Sequence, residues 1–416
     1  MGKNIVLLFS LLLLLSGNRT AAGAAPAPLN ENLGASARPD HVVLTWTDDP
    51  KTTQTISWRA LAGIQNGSVL YFEAGTASTT ITVSAAVKLF STFNWDTKGS
   101  FSLFSAALSG LKPGTRYKYI PVAGDTAGDE NSFTTEPADE ASFSFLLFGD
   151  SQSGNRYGRD YGAWRKTVTA ACARHPETSF IMNCGDLVET GQDVLDWNNW
   201  FEAAREVLPS VAEMPVQGNH ETYNPASGPA KPVYFLEFFK VFQNGPENLK
   251  GQVYSFDYGN THIAVLDSQK DEEAPKSDDF LKKQAEWLEK DLSAAAKHFK
   301  LVFFHKTPYF NKGKRGNEDI LRTLCPVAEK CGVDIVFNGH DHCLARTFPI
   351  NGTVYYTCGR SGAKFYTDSA INESDEFFFN PKEQPCYVRI EASKSLLLVK
   401  AFSSDGTLLD TYSVTK

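Results

Sequence analysis

Five short segments of this sequence carry side chains that bind metal ions in proteins, and each segment follows an apolar stretch. In chain order they are Gly149-Asp150-Ser151-Gln152, Gly185-Asp186-Leu187-Val188-Glu189, Gly218-Asn219-His220-Glu221, His305 and Gly339-His340-Asp341-His342. Carboxylate, amide and imidazole donors suit Zn, Fe, Mn or Co better than soft thiolate chemistry does. Ligands of open α/β sheets bind beyond the carboxyl ends of the strands, so segments that end separate strands can meet in one crevice. The pattern therefore predicts one metal centre assembled from all five segments.

A glycine stands immediately before four of the candidate ligands, which are Asp150, Asp186, Asn219 and His340. Glycine adopts backbone conformations that other residues avoid, so we expect these glycines to turn the chain sharply out of its strand. Each segment alone is a weak signal, because a Gly-Asp pair after a strand is usually a plain turn. The prediction depends on the five segments occurring together.

The order of the segments resembles the signature of the calcineurin-like metallophosphoesterase superfamily. That signature runs Asp-x-(His/Gly/Gln), Gly-Asp, Gly-Asn-His-(Asp/Glu), His and Gly-His-x-His. With the strand-rich stretch in front of it, the chain resembles the purple acid phosphatases. The resemblance implies two divalent or mixed-valence metal ions, with Fe, Zn, Mn or Co as candidates. It assigns Asp150 and His342 to the first ion, Asp186 to both ions, and three residues to the second ion: Asn219, His305 and His340.

The chemistry of a dinuclear site agrees with these assignments. A carboxylate such as Asp186 can bridge two cations, and the Asn219 carbonyl adds a ligand without adding negative charge. Two ions ~3.5–4 Å apart clamp an in-line displacement and lower the pKa of a bridging water, so no protein nucleophile is required. In the family, the histidine at the position of His220 faces the substrate phosphate and is proposed to protonate the leaving oxygen. A carboxylate such as Glu221 would hold its ring. The predicted catalytic residues are thus Asp186 and His220, and Asn219 and His220 are predicted to contact substrate.

Two positions depart from the purple acid phosphatase pattern. Those enzymes carry Tyr where this chain has Glu189, and Gly where it has Gln152. Tyrosinate bound to Fe(III) gives them their colour, so its absence weakens the expectation of Fe(III) and of an acid optimum. Other superfamily members have an Asp-x-Gln segment whose amide oxygen serves as a ligand. We therefore predict Gln152 as a ligand of the first ion, and Glu189 as either a neighbour of a ligand or an occasional ligand.

Substrate contacts have weaker signals in the sequence. Arg156 follows the first ligand segment and is predicted to contact substrate, because guanidinium groups match phosphate oxygens. Arg159, Tyr223 and Tyr309 are further candidates for the mouth of the site. The histidines outside the motifs are expected to be ordinary surface or packing residues; they are His41, His175, His262 and His298.

Two patterns of secondary structure divide the chain behind its leader. From His41 to Thr135, short apolar strands alternate with Gly and Pro turns, which predicts an all-β sandwich. Its stretch from Leu108 to Tyr117 resembles the turn and tyrosine strand of fibronectin type III-like domains. From Phe143 onward strands alternate with helices, which predicts an α/β layered domain, and late strands indicate mixed sheets flanked by helices. We expect a fibronectin type III-like β-sandwich over 26–138 and a calcineurin-like metallophosphoesterase domain over 139–416.

Residues 1–25 have the composition of a signal peptide. Lys3 precedes the apolar run Ile5–Leu15, and small residues at 22–25 offer a cleavage site. The run is shorter than the ~20 residues that span a bilayer. We expect a secreted or periplasmic protein with no membrane anchor after removal of the signal. Seven cysteines are present, and an odd number leaves at least one thiol unpaired within an exported monomer.

The composition and the absence of certain motifs argue against several classes of function. The formal net charge of −8 disfavours a nucleic-acid partner, and the usual kinase, serine-hydrolase and dinucleotide fingerprints are missing. The leading hypothesis is an exported dinuclear-metal phosphohydrolase, an acid phosphatase-like metallophosphoesterase that cleaves monoesters of small phosphorylated substrates. A phosphodiesterase or nucleotide hydrolase of the same superfamily is the alternative enzyme. A non-catalytic surface binding protein is the other alternative, and the intact ligand set argues against it.

Overall fold

The computed structural model describes residues 33–416, apart from residues 76–78, 93–97, 140–141, 156–157, 225–227, 275–276, 278, 314 and 316. The predicted signal peptide, residues 1–25, and the candidate substrate contact Arg156 lie outside the described residues. The described chain forms a β-rich N-terminal domain followed by an α/β domain, and the predicted fold class is confirmed.

The N-terminal domain consists of two antiparallel sheets. Its strands are β1 (Asp40–Thr45), β2 (Gln54–Leu61), β3 (Gly67–Glu73), β4 (Ile81–Ser84), β5 (Ala86–Ser91), β6 (Ser100–Leu108), β7 (Arg116–Ala123), β8 (Thr126–Ala127) and β9 (Asn131–Thr134). One sheet has the order β1-β2-β6-β5 and the other the order β4-β3-β7-β8, with β9 paired to β7. Alternate residues of β7 face the core, as a half-buried strand requires. The Tyr117 hydroxyl accepts a hydrogen bond from the backbone N–H of Lys112 at 2.9 Å, which closes the turn before β7.

The α/β domain alternates strands and helices along the chain. Its strands are β10 (Phe143–Phe148), β11 (Phe180–Asn183), β12 (Ala212–Glu213), β13 (Tyr254–Tyr258), β14 (Thr261–Val265), β15 (Phe299–Phe303), β16 (Ile335–Asn338), β17 (Leu344–Thr347), β18 (Val354–Cys358), β19 (Asp375–Phe379), β20 (Cys386–Ala392), β21 (Leu396–Ser403) and β22 (Leu408–Thr415). Its helices are α1 (Gly162–Arg174), α2 (Val194–Ala203), α3 (Val233–Phe238), α4 (Lys270–Glu273), α5 (Asp279–Ala294), α6 (Glu318–Thr323) and α7 (Cys325–Lys330), with short 3₁₀ turns at His220–Thr222 and Glu247–Leu249.

Two mixed sheets form this domain, and apolar side chains such as Phe145 and Phe303 meet between them. One sheet has the order β12-β11-β10-β20-β21-β22, in which β10 to β12 are parallel and β20 to β22 are antiparallel. The other has the order β13-β14-β15-β16-β18-β17-β19, with a parallel centre from β14 to β18. Strands β10, β11, β15 and β16 end just before candidate ligand segments, so the two parallel centres deliver those segments to one edge.

The β-rich domain packs against the α/β domain through aromatic side chains. The ring of Trp46, after β1, lies 5.6 Å from the rings of both Phe180 and Tyr258. The Tyr119 hydroxyl donates a hydrogen bond to the carbonyl oxygen of Pro209 at 2.7 Å. Buried residues of both domains belong to one continuous apolar core. Because large apolar side chains contribute about 1.5–3 kcal/mol each when they are buried, this contact stabilises the domains as one packed unit.

The described residues carry neither a membrane-spanning helix nor a disulfide. None of the described helices is both long enough and apolar enough to cross a bilayer. All seven cysteines lie within the described residues, and all of them are free thiols. Packing and hydrogen bonds, without covalent cross-links, therefore hold this part of the chain together.

His262 links the β13–β14 hairpin to α5 through two carboxylates. Its Nδ1 lies 2.7 Å from Oδ1 of Asp257, and its Nε2 lies 2.8 Å from Oδ2 of Asp291. Both ring nitrogens face acceptors, so both carry a hydrogen and the ring is the imidazolium. Burial lowers the pKa of His262, but the hydrogen bonds to the two carboxylates outweigh burial and raise the pKa to about 9.

We expect His262 to make the stability of the protein depend on pH. A pKa raised in the folded state gives a contribution that is complete below about pH 6.5 and is lost as the pH rises through about 9. Denaturant unfolding of wild type and His262→Gln measures this. The variant should be less stable at about pH 6, and the difference should shrink by about pH 10. The exposed His298, as His298→Gln, is the control. A difference that stays constant across this range contradicts the prediction.

Candidate metal centre

Four of the candidate ligands have backbone conformations that residues other than glycine seldom adopt. The φ angle is +48° at Asp150, +54° at Asp186, +72° at His340 and +54° at His342. A left-handed backbone costs such residues about 1–3 kcal/mol each, and residues with this strain gather at functional sites. The strain lies on the very residues that the sequence predicted as ligands, at the edge where β10, β11 and β16 end.

The glycines before the ligands serve two different purposes. Gly185 has a φ of +86° and turns the chain, as predicted. The glycines before Asp150, Asn219 and His340 do not have a positive φ; at Asp150 and His340 the left-handed residue is the candidate ligand that follows the glycine. A Cβ at Gly218 would lie 2.2 Å from the backbone nitrogen of Asp186. Glycine is needed there because neighbouring segments pack too closely for any side chain.

The first group of donor atoms comes from Asp150, Asp186 and His342, which are buried and place their ligand atoms within 4.8 Å of one another. Nε2 of His342 lies 3.2 Å from Oδ1 of Asp150. The amide nitrogen of Gln152 lies 3.3 Å from Oδ2 of Asp186. The amide oxygen of Gln152 is buried and has no hydrogen-bond partner among the described residues. A half-turn of the amide exchanges the two atoms and would present this oxygen to the group, which fits the role predicted for Gln152.

The second group of donor atoms surrounds Nε2 of His305. This nitrogen lies 3.1 Å from Oδ2 of Asp186, 3.2 Å from Oδ1 of Asn219 and 3.2 Å from Nδ1 of His340. The amide nitrogen of Asn219 donates to the Tyr223 hydroxyl at 2.6 Å, which directs the Asn219 oxygen towards His305. Asp186 is therefore the carboxylate that both groups share.

The protonation of His305 shows that a positive charge belongs between these atoms. Its Nδ1 lies 2.7 Å from the carbonyl oxygen of Cys184 and donates to it, so Nε2 of the neutral ring is a lone pair facing other acceptors. Burial lowers the pKa of His305, but Asp186 outweighs burial and raises the pKa to about 9. A proton on Nε2 and a metal ion at the same position are alternative ways to neutralise this cluster.

The charge states of the other ligands also suit metal binding. Burial raises the pKa of Asp186, but His305 and His220 outweigh burial and hold that pKa well below its usual range. Burial, followed by the neighbouring His305, lowers the pKa of His340 well below its usual value. Metal ligands must be ionised carboxylates and neutral imidazoles. The donor set therefore fits two cations that share Asp186.

Glu221 supports the bridging aspartate and does not hold the ring of His220. Its Oε2 accepts hydrogen bonds from the backbone N–H groups of Asp186 at 2.9 Å and Gly218 at 2.7 Å. Its Oε1 accepts from the N–H groups of Leu187 at 2.8 Å and Val188 at 3.3 Å. The prediction for Glu221 is wrong because its carboxylate is fully buried beneath the Asp186 turn and occupied by these donors.

His220 is oriented by a backbone carbonyl instead. Its Nδ1 donates to the carbonyl oxygen of Glu189 at 2.6 Å. Its Nε2 lies 3.9 Å from Oδ2 of Asp186 and 2.9 Å from Nζ of Lys364. A lysine ammonium group can only donate, so Nε2 accepts and the ring is neutral; burial, the main cause, lowers the pKa of His220. Oε1 of Glu189 lies 3.8 Å from Nδ1 of His220, which makes Glu189 a neighbour of His220, and its Oε2 accepts from the N–H of Gly154 at 3.0 Å.

A cavity of about 480 Å³ opens over the shared Asp186 and over Asn219 and His340 of the second donor group. Three cations line it that the sequence analysis did not single out, namely Lys306, Arg315 and Lys364. Lys306 directly follows a predicted ligand, and Lys364 lies in a small-residue segment after β18, a pattern shared with the ligand segments. These two signals were present in the sequence. Arg315 carries no such signal, because only the tertiary fold brings its loop to the cavity.

Other predicted contacts lie elsewhere in the structure. Arg159 forms an ion pair with Asp193 at 2.6 Å. Tyr309 packs its ring 4.8 Å from that of Tyr355. Neither Arg159 nor Tyr309 is among the described residues that line the cavity, whereas Tyr223 is. Of these three candidates for the mouth of the site, Tyr223 is therefore the one that lines the cavity.

Two family models match the chain. The calcineurin-like phosphoesterase model matches residues 143–344, which contain every candidate ligand. The purple acid phosphatase N-terminal domain model matches residues 39–135. Residues 143–344 therefore form a calcineurin-like phosphoesterase domain. The N-terminal domain is of the kind found in purple acid phosphatases.

Solved structures share the fold of this chain. Purple acid phosphatase PPD1 from yellow lupin, Lupinus luteus, superposes with a TM-score of 0.76 at 20% identity, over 91% of this chain and 74% of that chain. PhoD superposes with a TM-score of 0.60 at 13% identity, over 91% of this chain and 90% of that chain. At these identities the likeness shows the two-domain fold alone.

Relatives of known sequence include phosphatases and proteins thought to be inactive. An uncharacterized Mycobacterium tuberculosis protein is 25% identical over 273 residues, which cover 60% of this chain and 51% of that protein. Purple acid phosphatase 18 of Arabidopsis thaliana is 27% identical over 191 residues, or 43% of this chain and 42% of that protein. Probable inactive purple acid phosphatase 1 of the same plant is 21% identical over 96% of this chain and 71% of that protein. This chain spans about half the length of the mycobacterial relative.

We expect Glu221→Gln to lose bound metal although Glu221 is not a ligand. The amide nitrogen of the glutamine would face two backbone N–H groups that now have an acceptor, and an unsatisfied buried donor costs about 1–3 kcal/mol. The Asp186 turn should therefore shift. The measurement is metal content after purification, by elemental analysis. Glu213→Gln is the matched control, since burial raises the pKa of Glu213 to about 8 and its carboxyl group pairs with Asn183. Equal metal loading of both variants contradicts the prediction.

Proposed function

We propose that this chain hydrolyses phosphate monoesters of small molecules at a dinuclear metal centre in its calcineurin-like domain, residues 139–416. The observation that carries the proposal is the sharing of Asp186 by two buried donor groups, one with Asp150 and His342 and one with His305 and His340. We propose further that the chain is exported and that residues 26–138 form a fibronectin type III-like sandwich without a metal ligand. The complete ligand set supports an enzyme over a binding protein whose site has decayed.

The ligand residues divide the work of holding the two ions. Asp150, His342 and Gln152 would hold the first ion, and Asp186 would lie between the two. Asn219, His305 and His340 would hold the second ion, oriented by Tyr223 and the Cys184 carbonyl. When bound, the two ions polarise the phosphoryl oxygens and lower the pKa of a water molecule that attacks phosphorus in line.

His220 moves the proton that the leaving group needs. Its Nδ1–H is fixed by the Glu189 carbonyl oxygen, so Nε2, which accepts from Lys364 in the neutral ring, takes up a proton from solvent and then donates it to the leaving oxygen. A positioned imidazole contributes about 10²–10⁴-fold as a general acid. Three cations line the same cavity; Lys306 and Arg315 are paired with carboxylates, which leaves Lys364 to favour a dianionic monoester over a monoanionic diester. Turnover of monoesters against diesters by the metal-loaded protein distinguishes the two.

Asp186→Asn is the direct test of the shared carboxylate. We expect it to lose nearly all hydrolysis and to lower the content of both ions, because an amide carries no charge and offers only one oxygen. Metal analysis and a screen of phosphate esters on the same samples measure the two effects. Asp125→Asn, an exposed carboxylate of the N-terminal domain, is the control. Normal activity with full metal loading in Asp186→Asn would sink the two-metal proposal.

His220→Ala should retain metal and lose rate in a way that depends on the leaving group. A poor leaving group such as an alkoxide needs a proton in the transition state, whereas nitrophenolate hardly does. The rate for alkyl phosphates should therefore fall by about 10²–10⁴-fold and the rate for nitrophenyl phosphate by much less. His298→Ala is the surface control. Equal losses for all leaving groups would assign His220 a role in positioning phosphate instead.

A further inference from the structure

The segment 359–366, after β18, is fastened to the first ligand segment. Three backbone hydrogen bonds join the two: Ser361 N–H to Gly149 O at 2.6 Å, Gly362 N–H to Asp150 O at 3.0 Å, and Ala363 N–H to Gln152 O at 3.2 Å. A Cβ on Gly362 would lie 2.4 Å from the backbone of Ser151, so only glycine permits this approach. The buried Arg360 guanidinium donates to the carbonyl oxygens of Gly362 and Pro381 at 2.6 and 3.0 Å. The segment is thus held as firmly as the ligand segments.

Lys364 in this segment reaches both the ligand shell and the proposed acid. Its carbonyl oxygen accepts a hydrogen bond from Nδ1 of His342 at 2.8 Å, which leaves Nε2 of that ligand as a lone pair. Its ammonium group lies 2.9 Å from Nε2 of His220 and 3.6 Å from Oε1 of Glu189. The side chain is 21% exposed and lines the cavity over Asp186.

The ammonium group of Lys364 differs from the two other cavity cations in its partners. Lys306 lies 2.8 Å from a carboxylate oxygen of Glu272. Arg315 lies 2.9 Å from a carboxylate oxygen of Asp341. Lys364 has only a neutral imidazole within hydrogen-bond distance among the described residues, and its nearest carboxylate lies beyond that distance. Two of its three N–H donors are therefore available to a ligand in the cavity.

We propose that Lys364 is a catalytic residue that binds the phosphoryl oxygens of the substrate, with Glu189 as the anion that the substrate displaces. The proposal rests on the proposed function and names the cation that selects the dianionic phosphoryl group. The hydrogen bond that Lys364 donates to Nε2 of His220 and the backbone bonds of the 359–366 segment fix where Lys364 holds that group. The leaving oxygen then lies next to Nε2 of His220, because the two nitrogens are neighbours.

Inorganic phosphate is the probe, and its binding to the metal-loaded full chain is measured by calorimetry and by competitive inhibition. Lys364→Met should weaken phosphate binding by about 10- to 100-fold, as loss of a hydrogen bond to a charged group does. KM for monoesters should rise more than kcat falls, since the lost contact is present in the ground state. Lys364→Arg should restore most of the binding. The exposed Lys382, as Lys382→Met, is the control.

We expect Glu189→Gln to have the opposite effect on phosphate binding. A folding defect in one variant cannot account for opposite effects in the two variants. Glu189→Gln removes the competing anion while the amide oxygen can still accept from Gly154, so phosphate should bind several-fold more tightly. Unchanged phosphate affinity in Lys364→Met, or weaker binding in both variants, overturns the proposal. Wild type that binds phosphate through Lys364 but hydrolyses no ester overturns the proposed function and leaves the Lys364 assignment standing. Wild type that carries metal but binds no phosphate overturns the assignment itself.

Discussion

The placement of one carboxylate, that of Asp186, governs the architecture of the centre. Asp186 belongs to both donor groups, and it reaches them only from a left-handed turn that an aspartate rarely adopts. Glu221 holds that turn from below with four backbone hydrogen bonds, and Gly218 leaves room for it above. The strain of the turn is small beside the packing of the two sheets, so the fold can hold it in place.

Several of the atoms that could bind metal are hydrogen-bond acceptors that lie close to one another. Around Nε2 of His305, two oxygens and Nδ1 of His340 stand at hydrogen-bond distance; the oxygens can only accept, and a neutral His305 ring, whose Nδ1–H is given to Cys184, has no hydrogen to donate to them. In a buried, low-dielectric cluster such contacts are repulsive unless a positive charge lies between them. A proton can supply that charge, and a divalent ion can supply more of it. The same logic explains why the unpartnered amide oxygen of Gln152 belongs at the first group.

One departure from the purple acid phosphatase pattern, Glu189, acts through both its side chain and its main chain. Glu189 replaces the tyrosine expected there, and its side chain extends towards Lys364 and the Gly154 N–H. Its backbone carbonyl still orients His220. Glu189 thus orients the ring of His220 with its backbone carbonyl group, and its carboxylate offers a counter-charge to Lys364. The candidate centre therefore combines the donor residues expected from the resemblance with a different set of charges around the cavity.

Much of this could be predicted from the sequence, because the relevant signals are local. Strand periodicity and the residues at strand ends predicted the two-part fold and the ligand segments, since these depend on neighbours in the chain. The partners of those residues depend on tertiary structure. Glu221 stands next to His220 in sequence, yet it turns beneath Asp186, because a 3₁₀ turn begins at His220 and points the two side chains apart. Arg315 meets the centre only where a distant loop crosses its edge, and no local pattern encodes such a crossing. Residue type and spacing determined which atoms are able to bind metal; three-dimensional packing decided which charges surround them, because Coulomb and hydrogen-bond energies depend on distance in space and not along the chain.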